Sequence, residues 1–160
     1  MANIPAVGRQ VNVFVGGIGF VGKTEEYKLP DIKTTKVDGP NGVPVDTGIL
    51  EKLEAEVTLN TLSDVIFTEL SKLQNAQITL KSALSEGGVS KNSRASITGS
   101  IDIERDPFKP KETAKVKIKI HILTYQEEID GKEVVNIDLP NNIAIVGGKD
   151  LYEEVRNAIS

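Results

Sequence analysis

Ala114-Lys115-Val116-Lys117-Ile118-Lys119-Ile120-His121-Ile122 alternates apolar and polar side chains without a break. A period of two marks a strand with one face in a core and the other in water, because successive side chains on an extended backbone point to opposite sides. Lys115, Lys117, Lys119 and His121 then share the wet face. Downstream, Asp130-Gly131 supplies a favoured two-residue hairpin turn, and Glu133 to Leu139 reads as the returning partner.

Upstream of this strand the same period recurs. Ile97, Gly99, Ile101 and Ile103 alternate with Thr98, Ser100, Asp102 and Glu104 until Asp106-Pro107, and Ala76 to Leu84 precedes them across a Gly87-Gly88 turn. Leu53, Ala55, Val57 and Leu59 alternate with Glu54, Glu56, Thr58 and Asn60. Between these, Leu62, Ile66, Leu70 and Leu73 recur at helical spacing, with Thr61 as N-cap and Asp64 placed to reach back, which predicts a helix of about three turns.

Towards the N-terminus, Val11, Val13 and Val15 run as a strand into Gly16-Gly17, Gly19 to Leu29 returns, and Ile32 to Val37 is a third extended segment. Asp38-Gly39-Pro40-Asn41-Gly42-Val43-Pro44 is turn-rich and reads as a long loop, or an extended arm over 38–50. At the other end, Leu151, Val155 and Ile159 predict a short C-terminal helix. Seven or eight strands and two short helices predict a mainly β fold: an antiparallel sandwich or barrel with one mid-chain helix packed on it. A length of 160 residues fits one domain, 1–160, burying roughly 70% of its extended surface.

Composition narrows function. Hydrophobic residues at 39% and charged residues at 26% describe a globular chain. A net charge of −4 argues against gripping nucleic acid through its phosphates, which needs a concentrated basic face. With no Cys and one His, neither a disulfide framework nor a zinc site is expected. Aromatic residues at 4% supply few stacking platforms. No stretch approaches the ~18 apolar residues of a membrane helix, and the first ten residues lack a signal-peptide pattern, so synthesis in the cytoplasm is expected.

Gly17-Ile18-Gly19-Phe20-Val21-Gly22-Lys23-Thr24 satisfies the phosphate-loop pattern and directly follows a strand, which would make the chain a nucleotide-binding protein. Such a loop must open a helix whose amides face the phosphates, yet only five residues separate Thr24 from Pro30. Glu25 and Glu26 would also repel an anion there. A glycine-rich hairpin turn is the better reading. His121 has no triad spacing around it, and of the Glu25-Glu26, Glu127-Glu128 and Glu153-Glu154 pairs, those on strands point to opposite faces. The row Lys115, Lys117, Lys119 fits cross-strand or cross-subunit pairing with Glu54 and Glu56 or Asp102 and Glu104 better than contact with nucleic acid.

Taken in order, Val11-Asn12-Val13-Phe14-Val15-Gly16-Gly17, Leu29-Pro30-Asp31-Ile32, Val43-Pro44-Val45-Asp46-Thr47-Gly48, Leu53-Glu54-Ala55-Glu56, Asp64 to Leu70 and Asp130 to Asp138 resemble the major tail tube proteins of contractile-tailed, P2-like phages. The resemblance covers nearly the whole chain and departs at Gly22-Lys23-Thr24 and Ser85 to Arg94. It implies a tail-tube fold and a structural subunit, without catalytic, cofactor or metal residues, that self-assembles into stacked hexameric rings inside a contractile sheath. DNA and the tape-measure protein would occupy the lumen, and sheath, baseplate and tail-terminator proteins would be partners in the virion tail. Tubes of R-type bacteriocins and of type VI secretion are similar. Under this reading the subunit interface would include Pro40, Val43, Pro44, Val45, Asp46 and Gly48 of the arm and the Lys115, Lys117 and Lys119 row.

Overall fold

A computed structural model describes residues 7–20, 24–61, 63–107 and 109–159. They form twelve strands and two α-helices: β1 (Val7–Val15), β2 (Ile18–Gly19), β3 (Thr24–Lys28), β4 (Thr34–Asp38), β5 (Pro44–Leu50), β6 (Glu54–Leu59), α1 (Asp64–Ser71), β7 (Ala76–Glu86), β8 (Val89–Arg105), β9 (Val116–Ile129), β10 (Lys132–Asp138), β11 (Ile143–Val146), β12 (Lys149–Asp150) and α2 (Glu153–Ile159). All but β4 and β5 belong to one antiparallel sheet, in which β12-β11-β10-β9-β8-β7-β1-β2 run side by side and β6 and β3 branch from β9.

The branch is what shapes the molecule. One edge of β9 pairs with β8 along its length. The other edge serves β6 over Val116 to His121 and β10 over Thr124 to Ile129. The change of partner coincides with a bulge. Gly99 faces Ile122 but Thr98 faces Thr124, leaving Leu123 as the extra residue. Its carbonyl accepts from Leu139 N at 3.0 Å, while Ile122 N donates to Leu53 O at 3.2 Å. The bulge also shifts the phase of burial, from Val116, Ile118, Ile120 and Ile122 to Tyr125. Gly99 is needed here because a Cβ would overlap the His121 carbonyl oxygen.

From β3 through β6, β9, β8 and β7 to β1 the sheet curls until β3 lies beside β1. Inside sit Val13, Leu59, Ile78, Leu80, Ile97, Ile118 and Ile120, all at most 2% exposed. Val135, Ile137 and Ala144 carry the same core under β10 and β11. The hairpin joining β9 to β10 turns at Asp130 and Gly131, both at positive φ, as a turn matched to strand twist requires.

Helix α1 packs on β1, β7 and β8. Its N-cap is Ser63, whose Oγ accepts from Val65 N at 3.4 Å, rather than Thr61; Leu62 lies outside the described residues. The α-helix is two turns long, followed by a 3-10 turn over Leu73–Asn75. Of the expected apolar stripe only Ile66 is buried among the described residues, and Glu69 takes the second inward position. The Glu69 carboxylate accepts from Gln77 N at 2.9 Å and from Lys72 Nζ at 2.6 Å, beneath Gly16 of the β1–β2 turn. Gly16 has φ +60, and a Cβ there would strike that carboxylate, so both backbone freedom and space require glycine.

Two more expectations need correction. The second extended segment, 19–29, is two strands with different partners: β2 pairs with β1 and β3 with β6. Between Pro140 and α2 a small hairpin, β11–β12, adds to the sheet edge.

Candidate functional site

Segment 34–50 folds as a two-stranded hairpin of its own, β4 with β5, not as an irregular loop. Its Gly39, Pro40 and Gly42 build the tip. Gly39 N donates to Val43 O at 2.7 Å, Val43 N donates to Pro40 O at 3.3 Å, and Asn41 and Gly42 take positive φ. Asp46 ties the stem, accepting from Gly48 N at 2.9 Å and Thr34 Oγ1 at 2.7 Å. The Gly48 amide, then Thr34, then Lys36 hold its carboxyl below the ordinary range. Thr47 Oγ1 donates to Thr35 O at 2.7 Å. At the root, Glu51 N donates to Lys33 O and Leu50 N to Tyr152 Oη, each within 2.9 Å.

Pro40, Val43, Pro44, Val45, Asp46 and Gly48 therefore lie on one arm, with different jobs. Asp46 and Gly48 shape the hairpin. Val43 is 57% exposed and Val45, opposite Val37 in the register, is 46% exposed. Val37 and Ile49 are equally open. These apolar side chains stand open together on one hairpin, where most large apolar residues of the chain are buried.

The lysine row sits elsewhere, on the outer face of β9. Lys117 Nζ lies 3.2 Å from Glu56, which with its hydrogen bond raises the ammonium above its ordinary value. Lys119 stands in register between Glu56 and Asp102. His121 follows, its Nε2 2.7 Å from Asp102 and its Nδ1 3.5 Å from Glu54. Glu54, mainly through its hydrogen bond with Lys52, is held low. Basic β9 is thus flanked by acidic β6 and β8 in a cross-strand ladder within the chain. Lys115 falls just before β9, where its carbonyl accepts from Asp106 N. Ser100 stands opposite His121 in the register, but the hydrogen bond of the ring goes to Asp102.

The geometry of the described residues follows the hairpin-turn reading and not the phosphate-loop alternative. Gly16 and Gly17 form the turn between β1 and β2, and Thr24 opens β3, a strand, with its Oγ1 bonded to Phe20 O at 3.0 Å. Gly22 and Lys23 lie outside the described residues. A helix N-terminus is what a phosphate needs, and Thr24 starts none.

A third surface was not legible beforehand. Phe67, Leu70 and Leu73, the last two assigned in sequence to a buried stripe, are exposed, Leu73 to 72%. Leu73 also has φ +54. Left-handed backbone costs a leucine roughly 1–2 kcal/mol that glycine avoids. The only sequence signal was that three large apolar residues follow one another closely in a short amphipathic segment.

A family model, the phage tail tube protein FII, matches residues 6–159. The chain belongs to this family. It is a structural subunit of a phage tail tube, a component of the virion tail. No curated protein matches it by sequence. Among solved structures, that of Hcp1 from Flavobacterium johnsoniae is similar in fold, with a TM-score of 0.54 at 11% identity, covering 78% of this chain and 98% of that one. A crystal structure of an Hcp protein aligns at TM-score 0.40 and 12% identity over 81% and 95% of the two chains. For a tail tube protein the exposed arm and helix face are surfaces that a tube has reason to cover, and the charge ladder is internal to each subunit.

Proposed function

We propose that the subunit closes into hexameric rings that stack into the inner conduit of a contractile tail, with the arm 34–50 as a joint between copies. The observation that carries this reading is the exposed apolar hairpin on a chain of the tail tube family. Among the described residues both backbone edges of β4–β5 lack a strand neighbour, and edges of that kind accept another chain. Partners would be the sheath, tape-measure, baseplate and tail-terminator proteins, with synthesis in the host cytoplasm and no catalytic step. A lumen without a strong positive field would let DNA pass without sustained phosphate contact, in keeping with a net charge of −4.

Negative-stain electron microscopy of concentrated protein should show stacked rings, and removal of Gly39 to Val43 should abolish them while far-ultraviolet circular dichroism stays unchanged. Tubes of normal length from the shortened protein would remove the arm from the mechanism. Assembled tubes should retain no DNA at physiological salt.

A further inference from the structure

We infer that Asn41-Gly42, at the tip of the arm, is a site of spontaneous covalent change: the Gly42 nitrogen closes on the Asn41 side chain, and the product no longer forms the tip. Asn41 is the one asparagine of the chain that precedes a glycine. Both residues are exposed, and nothing stands within 4 Å of the place a Gly42 Cβ would take, so no side chain shields the attacking nitrogen. In the reaction a bond forms between Gly42 N and Asn41 Cγ, the Cγ–Nδ2 bond breaks, and the Gly42 amide proton leaves with Nδ2 as ammonia. Water then opens the cyclic imide at one carbonyl or the other. One product is aspartate; the other is isoaspartate, whose main chain runs through Cβ and is one carbon longer.

The turn itself sets the pace. Asn41 has φ 62 and ψ 26, left-handed backbone that asparagine tolerates better than most residues. Ring closure needs Gly42 N on the same side of the Cα–C bond as Cβ, whereas this ψ puts the two nearly opposite. The bonds that hold the tip in that form run from Gly39 N to Val43 O at 2.7 Å and from Val43 N to Pro40 O at 3.3 Å. The reaction therefore proceeds from tips that have opened locally. Asp130-Gly131, also at positive φ, is the internal contrast: its side chain accepts from Asn92 N at 2.9 Å and offers a carboxylate, a poorer electrophile than an amide. Either product damages the tip, isoaspartate by lengthening the backbone between Gly39 and Val43, aspartate by adding a charge beside exposed Val43. Under the tube reading, on which this last step rests, a subunit left unassembled loses its joint with age.

The test incubates the full chain at mildly alkaline pH, folded and in urea, and follows every asparagine by peptide mass spectrometry. In the folded protein Asn41 should convert ahead of all others, and several-fold faster still in urea. Equal rates in the two states would overturn the control by the turn; an intact Asn41, or another asparagine converting first, would overturn the site. Asp46→Ala removes the ties to Gly48 and Thr34 that hold the stem, so it should speed conversion in the folded protein several-fold and leave the rate in urea unchanged; no acceleration would overturn the dependence on arm opening. After ageing, the unaltered chain should yield several-fold fewer tubes than Asn41→Gly, which cannot form the ring and suits the same backbone; equal yields would overturn the damage to the joint. If fresh protein forms no tubes the tube reading falls, while the mass spectra still decide the chemistry.

Discussion

At Gly99 a single hydrogen atom decides whether two strands can approach. The site of its missing Cβ is occupied by the His121 carbonyl oxygen, which is backbone and cannot swing aside. Gly99→Ala should therefore destabilise the fold by about 2 kcal/mol or more, read from urea unfolding midpoints. Tyr125 is a second decisive residue. Burial first, and donation of its hydroxyl to Glu127 at 2.8 Å second, push its phenol far above the ordinary value. A raised folded value means stability that is intact below about pH 10, where the unfolded tyrosine starts to ionise, and lost as pH climbs further. Between pH 9 and pH 11 the unaltered protein should lose more stability than Tyr125→Phe, so that the gap between them narrows. At this scale little was legible beforehand. Glu69 illustrates why: a carboxylate in a helix is counted towards solvent, and its burial is made tolerable by Lys72 and by the backbone amide of Gln77, eight residues on.

At the scale of elements the sequence was read well where the period was long and poorly where it was cut. The alternation up to Ile122 announced β9, but the bulge at Leu123 broke the pattern and hid the second half of the strand. β11 and β12, of four and two residues, are too short to show a period at all. The arm was expected over 38–50 and the hairpin over 34–50 was missed, because Gly39, Asn41 and Gly42 signal a turn while the paired strands on either side carry no strict alternation. Its attachment is testable. Leu50 N donates to the hydroxyl of Tyr152, just ahead of α2. Tyr152→Phe removes that acceptor, so the Leu50 amide should exchange with deuterium at least several-fold faster while the melting temperature barely moves, since the bond holds the arm and not the core.

For the molecule as a whole, β9 is the post on which everything else hangs: β8 on one edge, β6 and then β10 on the other. Its amides, with those of β8 opposite, can open only when the sheet comes apart. In native-state hydrogen exchange Ile118, Ile120 and Ile101 should be the slowest group and should track global unfolding, whereas amides of β4, β5 and β12 should exchange through local opening.

The same post also guards against mispairing. A one-residue slip of β9 on β6 would turn Ile118 and Ile120 out to water, and because the strand is continuous through Leu123 it would also drag Tyr125 out of line with Ile97 and Ile137. An error in one half of the molecule is thus reported at once to the other, and the two sheet arms proofread each other's register during folding. A part repeated along the length of a tube gains from this. One misregistered copy would spoil the contacts it makes with its neighbours in the tube.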